Sequence, residues 1–452
     1  MKPASLALRF GRMSRLLVVL LTAAALAAPA SALAAPPWSS PATIPDALGS
    51  STPVVVTPAG NAEVLAPISR TALGSSGGPP SALVGLGADG RPGTAQPVAI
   101  AAGLLTTYAG NHVAIAGSTL VDGTITDRSH STVALGTAGG ALGAAHGLSG
   151  STGQHVMGLA GSARGDLAVV TGDASHVRTV YVRRAGTTSF RVALRIAVSS
   201  RARGATVAVG PKGDVLVVWE DDHEVFARHL GPTGHAGAIH RIGDGVQSQL
   251  QAAIDASGRL EVAWKTQRVS EGESNAPAIV RFATAAPGHG FGPQRTVEAV
   301  GASGTGRFVG APGVRLIAET DGSTLLAWTG FDAGHFVVRA TEVVGGHRGT
   351  PQTLSPVGED AVLGDAATGA DGAAIVAWRS GVQGADPVPG AAATVFASFR
   401  AAGASAFGGP EQVSDTGENV PTAPFAALDP VSGRSFVAYA PLTGGVKASA
   451  RP

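Results

Sequence analysis

Few side chains in this sequence are spaced for chemistry, and each candidate has to be weighed against its local context. Gly74-Ser75-Ser76-Gly77-Gly78 satisfies G-x-S-x-G, but a nucleophile elbow needs a strand before the serine and a helix after it. Glycine, serine and proline surround this copy, so it reads as a loop. His223-Glu224 opens the string HEVFARH, in which the next histidine comes six residues on, not the four that a zincin helix requires. His223, His229, His235 and His240 crowd one hairpin, where cross-strand neighbours could converge on a metal. Exposed strand and turn histidines explain the same pattern, and no metal site is assigned. No cofactor is assigned either: no glycine loop ends in Gly-Lys-Ser/Thr, and no dinucleotide fingerprint sits in a βαβ setting.

Any site must be positioned by a repeat that runs the length of the chain. GPKGDVLVVW (210–219), DASGRLEVAW (255–264), ETDGSTLLAW (319–328), GADGAAIVAW (369–378) and PVSGRSFVAY (430–439) each place an aromatic residue six positions after a glycine. Weaker copies end at Thr171, Ala116 and Ala66. The anchor glycines are Gly60, Gly110, Gly165, Gly213, Gly258, Gly322, Gly372 and Gly433, spaced 45 to 64 residues apart. Self-similarity at roughly 40 to 50 residues is the mark of repeat arrays and propellers.

Each repeat holds four short β-rich runs separated by turn residues. Around the fourth anchor these are ATVAVGP (205–211), GDVLVVW (213–219), HEVFARHL (223–230) and a segment after a Gly-rich turn. Four strands per unit make a propeller blade. The expectation is an all-β fold, a β-propeller of four-stranded antiparallel blades. Eight anchors give eight blades; seven is the runner-up, if one weak early copy is a loop. In the second strand Val215, Val217 and Trp219 alternate with Leu216 and Val218. Both faces are apolar, so neighbouring blades must cover them, with the aromatic filling the gap. Blades with Ala66, Ala116 or Thr171 in that slot are expected to pack less tightly. In Asp255-Ala256-Ser257-Gly258 the aspartate opens a turn and the glycine closes it with positive φ. Turn chemistry therefore explains the aspartate before any ligand does.

The chain stops after a third strand, GVKASARP (445–452). The missing fourth strand is expected at the other end. Trp38 precedes Pro41 by three residues, as Phe407 precedes Pro410, so the amino-terminal strand should complete the last blade and close the ring. Proline suits such an outer edge, where a missing N–H does no harm.

Residues 1–34 carry Lys2, Arg9, Arg12 and Arg15, then the apolar run Leu16–Ala28, then Ala32-Leu33-Ala34. This reads as a secretory signal peptide cut after Ala34; Met13 is an alternative start. The apolar run has 13 residues, short of the ~20 a membrane span needs. Residues 35–452 are then a single β-propeller domain. Without the leader 28 basic residues face 31 acidic ones, a net charge of −3, and no basic block argues for nucleic acid or an anionic membrane. The chain has no cysteine, so its stability rests on buried apolar surface, not on disulfides.

The degenerate D-x-x-G turns and tryptophan slots resemble the broad class of secreted bacterial β-propellers. They differ from the sialidase-type box S-x-D-x-G-x-T-W, of which there is no copy, and no D-x-D-x-D-G calcium spacing occurs. The resemblance implies a scaffold that hosts binding proteins and enzymes alike.

On such a scaffold the loops after the second and fourth strands share one face, and they vary most in length. Long loops on a rigid frame are where binding residues concentrate. Ligand-binding candidates there are Asp221, Asp222, Arg268, Asp332, His335 and Arg379, with Glu220, Glu271, Glu273 and Asp386 nearby. No catalytic residue is assigned. The expected function is an exported binding or interaction module for an extracellular protein or glycan, secreted or associated with the cell envelope and monomeric. The alternative is an extracellular carbohydrate-active enzyme, a glycosidase or lyase, in which paired carboxylates on the long-loop face lie ~5 to 9 Å apart.

Overall fold

The structure, a computed structural model, describes residues 38–452 apart from 46, 48–52, 57–59, 68–80, 99–101, 110–111, 119–129, 138–141, 173–175, 246–248, 268–277, 301–312, 370–371 and 382–392. The leader expected at 1–34, the serine motif at 74–78 and the anchor Gly110 lie outside the described residues.

Short β-rich runs divided by glycine turns give eight antiparallel sheets and, among the described residues, no α-helix. Consecutive strands pair within each sheet. The blades follow one another at 54–98, 102–152, 155–197, 205–244, 249–300, 314–353, 361–412 and 425–451. In the sixth blade the outermost strand is split into His347–Arg348 and Gln352–Thr353, both paired with His335–Val344. The innermost strand of every blade contacts that of the next, and the eighth contacts the first. The fold is an eight-bladed β-propeller, and the weak early repeats are blades in their own right.

The second strands show why the ring holds. Val215–Asp221 pairs with Ala205–Val209 on one side and Glu224–Leu230 on the other. Val215, Val217 and Trp219 pack on Ala168, Val170, Val180 and Val182 of the third blade. Leu216 and Val218 pack on Ile254, Val262 and Trp264 of the fifth. The slot recurs with Trp328 against the fifth blade, Trp378 against the sixth and Tyr439 against the seventh. Burying one such ring contributes about 4 to 6 kcal/mol before conformational entropy is counted. Two of the indole N–H groups find partners: Trp264 Nε1 donates to the Asp244 carbonyl at 2.8 Å, and Trp328 Nε1 to Glu298 Oε2 at 2.7 Å. In the third blade the slot holds Thr171, whose hydroxyl donates to Gln154 Oε1. There the aromatic comes from the third strand instead: Tyr181 is buried against Val133, Leu148 and Val156.

The anchor turns behave as their composition dictates. Gly258 has φ +90 and its N–H donates to the Asp255 carbonyl at 2.9 Å. Asp255 Oδ1 accepts from Ser257 Oγ at 2.6 Å and from Arg259 N at 2.8 Å. The aspartate is consumed by its own turn.

Ring closure takes the expected form. Ala42–Thr43 pairs with Lys447–Arg451 and completes the eighth blade. Ile44 is buried behind it among Val56, Val446 and Ala450.

Candidate functional site

The turns after the second strands gather on one rim of the ring, where sequence reasoning placed its candidates. Asp221 accepts hydrogen bonds from Ser199 N at 3.0 and 3.2 Å and from the Ser199 hydroxyl. It thereby fastens the passage from the third blade to the fourth. Asp222, at φ +45, pairs with Arg201 at 3.0 Å, both largely exposed. Asp332 sits 3.1 Å from Arg339, which also holds Glu298 at 2.9 Å. His335 Nδ1 lies 3.5 Å from Asp360 Oδ1. Arg379 belongs to the strand Ala374–Ser380, is buried, and donates to the Pro421 carbonyl. Glu220 is fully buried. Arg268, Glu271, Glu273 and Asp386 lie outside the described residues. The described candidates thus occupy the fourth, sixth and seventh blades, with partners on the same blade or the adjoining connection. What the geometry shows of them is the fastening of turns.

The residue after each slot tryptophan forms a class of which sequence reasoning named only Glu220 and Arg379. Glu220, Lys265, Thr329 and Arg379 are all polar and all buried. Lys265 lies inside the strand Leu260–Gln267. Burial pushes its ammonium down to about 7.

A cleft opens on the opposite rim, between the anchor turn of the fourth blade and the outer loops of the fourth and fifth. Its volume is about 380 Å³, and its walls include Lys212, Asp214, His229, His240, Leu260, Pro287 and His289. Asp214 directly follows the anchor Gly213 and is buried. Its Oδ2 meets His229 Nε2 at 3.1 Å, so a neutral His229 carries its proton on Nε2. The His289 Nδ1–H donates to the Pro287 carbonyl at 2.9 Å, which turns Nε2 outward. His240 meets Phe291 of the fifth blade edge-on, with ring centroids 6.2 Å apart. Gly290 makes room for that ring, since a Cβ there would stand 3.2 Å from His240 Cε1. The Lys212 carbonyl accepts from Arg164 Nη1 of the third blade at 3.0 Å, which steadies the turn.

Two of the four hairpin histidines therefore share this cleft. His223 sits instead in the turn on the far rim at φ +67, and His235 beside the turn near Gly234. Among the described residues no three histidine, aspartate or glutamate side chains are arranged to hold a metal ion. Sequence reasoning missed Lys212, Asp214 and His289. The usable signal was Asp214, a carboxylate beside an anchor glycine but outside the D-x-x-G position.

A second cavity, about 420 Å³, opens on the inner strands of the third to sixth blades. Ala160, Val207, Val209, Ile254 and Leu316 make its wall largely apolar.

No family model matches the chain, and no curated protein does. Solved structures do. An ulvan lyase of polysaccharide lyase family PL25 aligns over 91% of this chain and 94% of its own, at 9% identity and TM-score 0.43. A prolyl endopeptidase aligns over 74% of this chain, at 15% identity and TM-score 0.42, and a puromycin hydrolase over 74%, at 13% identity and TM-score 0.42. The chain spans about half the length of these two, 47% and 49%. These are likenesses of fold.

Proposed function

We propose that this protein is an exported β-propeller that acts as a binding module, directed out of the cytoplasm by residues 1–34. In this reading it works as a monomer, secreted or held at the cell envelope, and takes an extracellular protein or glycan. The cleft between the fourth and fifth blades is its ligand site. The observation that carries the proposal is the state of Asp214, the one carboxylate among the described residues that line the cleft: it is buried and engaged by His229. Hydrolysis or elimination by acid and base needs a carboxyl poised to exchange protons with substrate. The carboxyls that burial pushes upward, Glu261 and Glu319, lie within blade interfaces and do not line the cleft. Oriented polar side chains over an apolar floor suit recognition better than turnover.

A thermal-shift screen of residues 35–452 against glycans, peptidoglycan fragments, small acids and divalent metals tests the reading. A ligand at a hundred times its dissociation constant stabilises the fold by about 2.7 kcal/mol. A hit recovered unchanged after incubation supports binding. A hit that is consumed supports the carbohydrate-active enzyme instead, and a flat response to every compound contradicts a small-ligand site.

A further inference from the structure

We infer that the cleft between the fourth and fifth blades selects a small carboxylate-bearing ligand, a sugar acid in preference to a neutral sugar. This rests on the cleft being the ligand site.

The inference follows from the balance of charge and hydrogen-bonding groups. Lys212, His229, His240 and His289 line the cleft against a single carboxylate, Asp214. That carboxylate is 5% exposed and already faces His229. No carboxylate among the described residues pairs with the Lys212 ammonium. A ligand entering the cleft therefore meets the Lys212 ammonium, and no uncommitted anion among the described lining residues to repel a negative group. Charge-assisted hydrogen bonds from ammonium or imidazole to a carboxylate are roughly twice as strong as neutral ones. A neutral hydroxyl gains much less from the same ammonium.

The imidazole rings around the ammonium are also held in place before any ligand arrives. Asp214 fixes the ring of His229, the Pro287 carbonyl fixes His289, and Phe291 with Gly290 confines His240. Preorganised groups lose less entropy on binding. Leu260, Pro232, Pro287 and Ala238 give the remaining wall an aliphatic surface, which suits the C–H face of a sugar ring. At about 380 Å³ the space falls at the lower end of the ~300 to 1,000 Å³ that small-molecule sites occupy.

Calorimetric titration of residues 35–452 with glucuronate and with glucose isolates the carboxylate, because the two differ at one carbon. N-acetylaspartate serves as an acid without a sugar ring. Glucuronate is expected to bind at least about tenfold more tightly than glucose, a gap of roughly 1.4 kcal/mol. Lys212→Ala and His240→Gln should each weaken it by about tenfold or more on the same scale. His347→Gln, on the exposed edge of the sixth blade, should leave it unchanged, and melting temperatures check that all three variants fold. Binding of N-acetylaspartate alone keeps the preference for acids and removes the sugar. Equal binding of glucose and glucuronate, lost in both cleft variants, overturns the acid preference and leaves the cleft as the site. Acid binding that neither cleft variant alters overturns the cleft itself, and failure of every acid to bind overturns the inference.

Discussion

The Arg400 guanidinium lies 2.7 Å from the Glu319 carboxylate, and the two side chains are 2% and 0% exposed. The pair joins the third strand of the seventh blade to the anchor turn of the sixth. Arg400 also donates from Nε to the Gly372 carbonyl at 2.7 Å and pairs with Glu342 at 2.6 Å. Its guanidinium stands 5.3 Å from the centre of the Phe407 ring. Arg183 makes the corresponding bond to the Gly165 carbonyl in the third blade. An arginine ending a third strand thus serves as a fastener for its own anchor turn.

Removing one member of such a pair leaves the other charge buried. Arg400→Met is expected to cost about 3 to 5 kcal/mol, and adding Glu319→Leu should recover most of it. Urea unfolding of the two variants measures both. A single variant as stable as the parent would show that the pair contributes nothing.

Glu261 and Lys265 lie four residues apart on one strand and so share a face. Burial pushes Glu261 up to about 7, with Thr324 and Arg259 pulling the other way and Asp255 adding to the rise. Burial pushes Lys265 down to about 7. The folded state holds the Glu261 proton that the unfolded chain has lost, so this contribution is full below pH 4.5 and lost as pH rises through 7. The Lys265 contribution is full above pH 10.5 and lost as pH falls through 7. Together they place a dip in stability near pH 7. Glu261→Gln should flatten the acid side of the dip and Lys265→Met the alkaline side, in melting temperatures taken across pH. Unchanged profiles in both variants would refute the assignment.

The closing strand makes a third case. Ser39 N donates to the Ala450 carbonyl at 2.8 Å, Ala450 N to Ser39 Oγ at 3.0 Å, and Ser449 Oγ to the Ser39 carbonyl at 2.7 Å. Ile44, 1% exposed, locks the turn beneath. Ile44→Ala is expected to cost about 2 to 5 kcal/mol. Deleting residues 38–44 exposes Lys447–Arg451 as an open edge, which invites pairing between molecules. Size-exclusion chromatography should then show oligomers; a stable monomer would mean that the ring does not depend on its latch.

The architecture was readable because one constraint repeats. An aromatic at a fixed distance from a glycine reports the same blade interface each time, so Trp219, Trp264, Trp328 and Trp378 could be aligned without any homologue. The latch was readable because an eighth blade one strand short demands a donor. The third blade was harder: its Thr171 reads as an empty slot, whereas Tyr181 reaches the neighbouring core from another strand. The cleft obeys no period at all. Asp214 and His289 come from a turn and a loop on different blades, and only the curvature of the ring brings them to one opening. The rim candidates were visible as charges, but their partners, such as Ser199 for Asp221, belong to connections whose course the repeat does not fix.

Filling the cleft tests the central claim most directly, because it changes shape and leaves every charge in place. Ala238 lines the cleft from an exposed position on the fourth blade's outer strand, and Ala238→Trp would occupy the opening. The measurement is the ligand-induced thermal shift in parent and variant. The account predicts a shift in the parent, none in Ala238→Trp, and equal melting temperatures for the two without ligand. A shift of the same size in the plugged variant would contradict it.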